Sequence, residues 1–335
     1  MSTPLQDGFS MPAEWAPHLR SWMMWPCRDE VWDDMDETRA NYAAVAHAIR
    51  QFEPLTMVVR PQDQADAANL LGRDIELLVS DIDDSWCRDA GPCFLKHQSG
   101  ARAGVSFTFN AWGGKYSPYD ADNAIADTIL RAAGVPGYAS SLIAEGGGIS
   151  VDGEGTLLTT LSCFPNANRN PDWSVPRIEE ELKQMLGVQK VIWLPGNVDE
   201  TETDGHVDGI ATFVAPGVVL MEGTGSPGHP YNPANQANLD AMQGQTDAKG
   251  RPIRIHTVPF AENTGRDDEL FCESYVNSYI VNGGVIMPSY GIREDAVVRE
   301  VLQDLFADRE IAMVDISRIA TGGGGIHCIT QQEPA

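Results

Sequence analysis

Basic residues are scarce in this 335-residue chain: Lys plus Arg number 23 against 48 Asp plus Glu, and 23 − 48 leaves a net charge of −25. A surface so charged repels a phosphate backbone and an anionic membrane, so nucleic acid and lipid surfaces are excluded as partners. Long apolar runs are missing as well. The longest, such as Gly217 to Met221, fall far short of the roughly 18 residues a membrane span requires. Cysteine is sparse: the six, at 27, 87, 93, 163, 272 and 328, are too few and too irregular for a disulfide framework or a paired CxxC zinc site. Free thiols are expected. Met1 to Gly8 lacks the basic stretch and apolar segment of a signal or transit peptide, which makes the cytoplasm the expected compartment. No Ser/Gly-rich linker, charge block or low-complexity segment interrupts the chain, and residues 1–335 read as a single domain.

Hydrophobic residues make up 42% and charged residues 21%, the composition of a globular protein and not of a disordered acidic tail. Apolar residues recur at helical period over Thr38 to Glu53, Asp120 to Ala133, Ser174 to Leu186, Asn232 to Gln245 and Glu294 to Ala307, with a shorter candidate at Gln62 to Leu71. Short β-type runs separate them, among them Leu55 to Val59, Thr156 to Leu161, Val188 to Leu194, Arg254 to Val258, Tyr275 to Val281 and Ile311 to Ile316. Elements alternating at this spacing predict an α/β architecture built from a quasi-repeating helix-plus-strands module.

Residues able to do chemistry gather in four turn-rich stretches: Asp84 to Pro92, Glu145 to Gly148, Glu202 to Asp208 and Gly322 to Cys328. Four glycines ahead of Cys328 let backbone approach a ligand and leave the thiol unshielded, which makes Cys328 a candidate nucleophile. Those glycines neither fit GxxxxGK[ST] nor open a helix, so a phosphate cradle is discarded. His327, adjacent to the Cys, would point to the opposite face of an extended segment and reads as structural. A better partner for the thiol is His206, flanked by Glu202, Asp204 and Asp208, because carboxylates favour imidazolium and imidazolium favours thiolate. His206 with Asp208 could also ligate a metal, but no HExxH, CxxC or close His pair supports it, and no metal is expected. Asp89, Glu145 and Asp208 beside a Cys/His pair would line a site with carboxylates, each accepting two hydrogen bonds, and a planar multi-donor cation such as guanidinium fits them.

These stretches resemble the agmatine deiminases, guanidine-hydrolysing members of the pentein superfamily. The likeness runs from Met11-Pro12-Ala13-Glu14-Trp15 and Trp25-Pro26, through Trp86-x-Arg88-Asp89-x-Gly91-Pro92, to Ile326-His327-Cys328-Ile329-Thr330-Gln331-Gln332. It implies a pentein-type five-bladed α/β propeller with pseudo-fivefold symmetry around a central pocket. It also implies an iminohydrolase that converts agmatine to N-carbamoylputrescine and ammonia without a cofactor. By the same resemblance Cys328 is the nucleophile, His206 the acid and base, Asp89 and Asp208 the guanidinium clamps and Glu145 the acid that positions His206. Trp86 and Glu202 would sit on the substrate side. Where family members often carry Asn, this chain has Asp204, Gly209 and Gly325. Asp204 is expected to add negative charge at the mouth, and the two glycines to widen the pocket for a longer or bulkier guanidine, peptidylarginine included. A metal-dependent amidinohydrolase using His206 and Asp208 and a non-catalytic polyamine-binding protein stay open, as does association of copies.

Overall fold

Asp34 opens the first long helix, Met35–Arg50, and its side chain accepts from the Glu37 N–H at 3.0 Å, capping a first-turn donor that the helix leaves free. Tyr42, Val45, Ala46 and Ile49 recur on its buried face, the spacing that faces a helix stripe to a core. The computed structural model describes residues 2–266 and 270–335, and within them the other long helices are Asp120–Ala133, Val175–Leu186, Asn232–Met242 and Arg293–Leu305, with Gln64–Leu71 shorter. Val175–Leu186 buries Ile178, Leu182 and Leu186, each worth about 1.5–3 kcal/mol of removed apolar surface. It stops at Gly187, whose φ of 65° is a left-handed cap. The expected start at Thr38 came a turn late, because Met35, Asp36 and Glu37 form a turn marked by its cap and not by apolar period. The expected end at Gln245 ran past Met242, where Gln243 leaves helical geometry.

Five sheets of three or four strands follow one plan: an antiparallel hairpin, a helix, then a strand parallel to the second hairpin strand. Cys93–His97 and Arg102–Thr108 pair antiparallel, helix Asp120–Ala133 crosses, and Gly137–Ile143 returns parallel. Ser150–Val151, Thr156–Thr160 and Lys190–Leu194 repeat this around helix Val175–Leu186. Ala211–Ala215, Val218–Glu222 and Arg254–Val258 repeat it around Asn232–Met242, and Tyr279–Val281, Gly284–Ser289 and Glu310–Asp315 around Arg293–Leu305. In the fifth sheet Thr330–Pro334, from the C-terminal end, pairs antiparallel with His18–Met24, so both chain ends complete one module around Met35–Arg50.

Thr330–Pro334 carries no apolar alternation, yet every residue in it is buried. Bonds from across the fold hold it there: Gln331 accepts from Arg88 at 2.9 Å and Glu333 from Trp22 Nε1 at 2.9 Å. The expected strand Tyr275 to Val281 begins only at Tyr279, and the preceding residues turn. That turn belongs to a rule shared by all five modules. The segment just before each first hairpin strand holds, in chain order, Asp89, Glu145, His206 with Asp208, Asn277, and Cys328. Polar side chains distant in sequence therefore reach one place from equivalent positions.

Candidate active site

A single turn of helix, Cys87–Ala90, presents Asp89. Its Oδ1 accepts from the Gly147 N–H at 2.9 Å and its Oδ2 from Trp112 Nε1 at 2.9 Å. Trp112 reaches it from a left-handed pair, Ala111 and Trp112, with φ of 54° and 53°, a conformation that costs a non-glycine residue about 1 kcal/mol or more and is held only by surrounding contacts. Glu145 precedes the turn Gly146–Gly148, and its carboxylate takes the Arg169 Nε at 2.9 and 3.0 Å. Gly147 is required where it stands. A Cβ there would meet His206 Nδ1 at 2.5 Å, Asp89 Oδ1 at 2.7 Å and Asp208 Oδ2 at 3.1 Å, so three of the expected site residues converge on its α-carbon.

His206 lies 3.7 Å from Asp89 through Nδ1 and 3.6 Å from Glu145 through Nε2, longer than hydrogen bonds, and neither buried ring nitrogen has a partner. Burial pushes its pKa down, but Asp89, the Cys163 thiol and Glu145 outweigh burial and hold it well above the ordinary histidine value. The imidazole is thus a cation among acids. Asp89 is raised by burial and by its neighbours Asp208 and Glu145, against the pull of His206. Asp208 is lowered despite burial, chiefly through His327.

Cys328 sits in the turn before Thr330–Pro334, with its Sγ 3.7 Å from Asp208 Oδ2. Asn277 Nδ2 donates to that Sγ at 3.2 Å, while Asn277 Oδ1 accepts the His327 N–H at 3.0 Å. Burial, then the charges of Asp208 and Asp89, push the thiol pKa well above its usual value. The surroundings of the sulfur work against the thiolate expected from His206, because the nearby carboxylates Asp208 and Asp89 disfavour a second negative charge there.

His327 also departs from expectation. Residues 326–329 form turns and not extended chain, so adjacent side chains need not oppose one another. The His327 ring bridges Asp208 at 2.8 Å and Glu14 at 2.8 Å. Burial and the Arg88 charge press its pKa down, and the two carboxylates override both.

Beside Cys328 a cleft of about 340 Å³ is walled by Trp86, Asp89, Trp112, Tyr116 and Glu202. Glu202 accepts from the Tyr116 hydroxyl at 2.8 Å. Asp204 is spent elsewhere: it accepts from Lys115 Nζ at 2.9 Å, Asn168 Nδ2 at 2.9 Å and Arg169 Nη1 at 2.5 Å. Its charge is neutralised, which corrects the expectation of added negative charge at the mouth.

Gly322, Gly323 and Gly324 line the cleft beside Cys328, and the glycine run has a packing purpose besides. A Cβ on Gly322 would strike Trp32 at 2.3 Å, on Gly324 Trp86 at 2.3 Å, and on Gly325 the Asn277 Oδ1 at 2.5 Å. These glycines admit protein side chains that brace the Cys328 turn, and Gly325 does not widen the pocket. Gly209 does leave space, since nothing lies within 4 Å of a Cβ placed there. Among the described residues, the grouping close enough to share a metal ion is Glu145, Cys163 and His206, all buried; Asp208, named in the metal alternative, is not part of it.

The family model of Porphyromonas-type peptidyl-arginine deiminases matches residues 10–334. The chain belongs to that family. The agmatine deiminases of Stutzerimonas stutzeri and of Pseudomonas fluorescens strain SBW25 are each 42% identical to it over 359 aligned residues, covering 100% of this chain and 98% of theirs. The solved agmatine deiminase of Enterococcus faecalis superposes with a TM-score of 0.97 at 38% identity, covering 100% of this chain and 98% of that one. Against this peptidyl-arginine deiminase family background, six contributors to the site escaped sequence reasoning: Arg169, Asn277, Cys163, Glu14, Trp112 and Tyr116. Arg169 and Cys163 lie inside a turn-rich stretch without motif character. Asn277 was findable in principle, because it occupies in the fourth module the place that Glu145 or Cys328 occupies in theirs.

Proposed function

We propose that this deiminase hydrolyses the guanidinium of agmatine, giving N-carbamoylputrescine and ammonia through a covalent amidino adduct on Cys328. The observation that carries the reading is the convergence of Asp89, Glu145, His206, Asp208 and Cys328, all buried, in a site whose paired acids match the rigid fork of a guanidinium. We further read residues 1–335 as one domain, a five-bladed propeller whose five modules surround the site, acting in the cytoplasm; the five-sheet plan and six unpaired cysteines support this. In the mechanism, Asp89 and Asp208 hold the guanidinium NH groups and orient its carbon toward Cys328. The arriving cation offsets the carboxylates that raise the thiol pKa, so the Cys328 proton is released as substrate binds. The thiolate attacks, His206 protonates the departing nitrogen, and the same imidazole then takes a proton from the water that hydrolyses the adduct. Trp86, Trp112 and Tyr116 flank the aliphatic tail, and Glu202 faces its terminal ammonium. Asp204 positions Lys115 and Arg169 and does not touch substrate.

The test is ammonia release from agmatine together with intact-mass spectrometry of acid-quenched enzyme. Wild type should turn over and show the amidino adduct. Cys328→Ala should keep binding and lose turnover, and residual activity above about 10⁻³ of wild type removes Cys328 as nucleophile. Activity lost on chelation and restored by metal, with Cys328→Ala still active, selects the metal-dependent alternative. Agmatine binding without ammonia release selects the non-catalytic one.

A further inference from the structure

Next to Cys328 and His206 the site continues into a second cavity, about 840 Å³ and open to solvent, that reaches Glu222. Strand Val218–Glu222 ends there, its last N–H bonded to the Ile210 carbonyl at 2.9 Å, so the position of the side chain is set by the sheet. Glu222 is only 5% exposed, and its Oε1 is fully buried with no hydrogen-bond partner. No lysine or arginine is among the described residues lining the cavity. Glu273, Cys272 and Tyr231 share the wall with Glu222, and His206, Asp208 and Cys328 face the same space. Burial first, and then the charge of Glu273, push the Glu222 carboxyl well above the ordinary carboxylate range, although Ser274 and Asn235 pull the other way. Such a group favours its neutral form, with one oxygen lacking a partner, on the wall of a cavity that the nucleophile also lines. Leaving a buried carboxyl oxygen unsatisfied is unfavourable, and a small cationic donor would relieve it.

We propose that this cavity receives the amine expelled from the guanidinium, with Glu222 as its binding group. The inference rests on the deiminase reading given above. Once the C–N bond breaks, with the His206 proton transferred to the leaving nitrogen, ammonia departs as neutral NH₃. Its lone pair takes the Glu222 carboxyl proton: the O–H bond breaks, a fourth N–H bond forms, and ammonium is left paired with a carboxylate. No other reactant is consumed. Ammonium has no lone pair and cannot attack the amidino carbon again, so capture at Glu222 suppresses reversal while water reaches the adduct. Gly209 lines this cavity and adds no side chain to it.

The test measures carbamoyl product, not ammonia, from agmatine with added ammonium chloride, against sodium chloride at equal ionic strength. In wild type, ammonium should inhibit non-competitively with respect to agmatine, because its site is separate from the clamp. Glu222→Gln keeps the shape of the side chain and removes the exchangeable acid, and should raise the ammonium inhibition constant at least tenfold. Equal sensitivity in the two proteins, or wild-type inhibition no greater than that by sodium chloride, overturns the inference. Purely competitive inhibition of wild type also overturns it, since the ion then occupies the guanidinium clamp; this arm needs no variant to fold. A wild type with neither turnover nor Cys328 adduct overturns the deiminase reading itself, and this inference with it.

Discussion

Glu202 and Asp204 lie two residues apart and end in different surroundings, one facing the aromatic cleft and one bound to Lys115 and Arg169. Glu202→Gln should lower kcat/KM for agmatine about fivefold, the worth of a partly exposed ion pair near 1 kcal/mol, with the loss in KM. Asp204→Asn should instead lower the melting temperature by a few degrees, because it leaves the buried Arg169 short of a partner. Steady-state kinetics and a thermal melt on both variants check this; equal effects on KM return Asp204 to the substrate side. His327 offers a pH test. Its bond to Asp208 helps hold that carboxylate below its ordinary value, so Asp208 stays ionised into acid. Removing the imidazole in His327→Ala raises the Asp208 pKa and should move the acid limb of kcat/KM to higher pH, while breaking the buried bridge costs about 3–5 kcal/mol of stability. An acid limb that does not move makes His327 purely structural. At this scale the residue types of the site were legible as acids, a histidine and a cysteine in turn-rich stretches. Which acid was already neutralised was not, because Lys115 and Arg169 approach Asp204 from far along the chain.

Helices were read closely, since apolar period and caps are local properties, and the register of Val175–Leu186 is visible in Ile178, Leu182 and Leu186 alone. Strands with polar sequences were not. Thr330–Pro334 is buried through bonds to Arg88 and Trp22, partners that no window around it contains. The glycine run belongs to this scale too. Gly325→Ala should displace Asn277 and with it the Cys328 turn, so activity should fall at least about tenfold and the melting temperature should drop. Gly209→Ala, whose added methyl meets nothing within 4 Å, should melt like wild type. A stable, fully active Gly325→Ala would show that Asn277 does not brace the nucleophile.

Across the whole molecule, the N-terminal segment is tied to the C-terminal one by charge. Glu14 accepts from His327 at 2.8 Å and Ile280 at 2.8 Å, and although burial opposes it, these neighbours and Arg88 lower its pKa from 4.5 to about 2. A depressed carboxylate contributes stability that is full above the unfolded value and is lost as pH falls through the folded one. Glu14 should therefore contribute on the order of 3 kcal/mol at neutral pH, lost between about pH 4.5 and about pH 2. Denaturant titrations of wild type and Glu14→Gln over that range check it: the variant should be less stable at neutral pH and flatter in acid, and parallel curves would remove Glu14 from the linkage. The amino-acid sequence by itself determined the α/β class, the helix positions, the absence of any charge or apolar run suited to nucleic acid or membrane, and the chemical types able to hold a guanidinium. Those follow from composition, period and motif, which are properties of short stretches. Only the tertiary structure decided that five modules share one plan, that the chain ends close one of them, and that Asn277, Arg169 and Glu14 join the site. It also decided that carboxylates surround the Cys328 sulfur and that Asp204 is already paired. Protonation and pairing depend on burial and on neighbours within a few ångströms, and here those neighbours come from segments that only folding brings together.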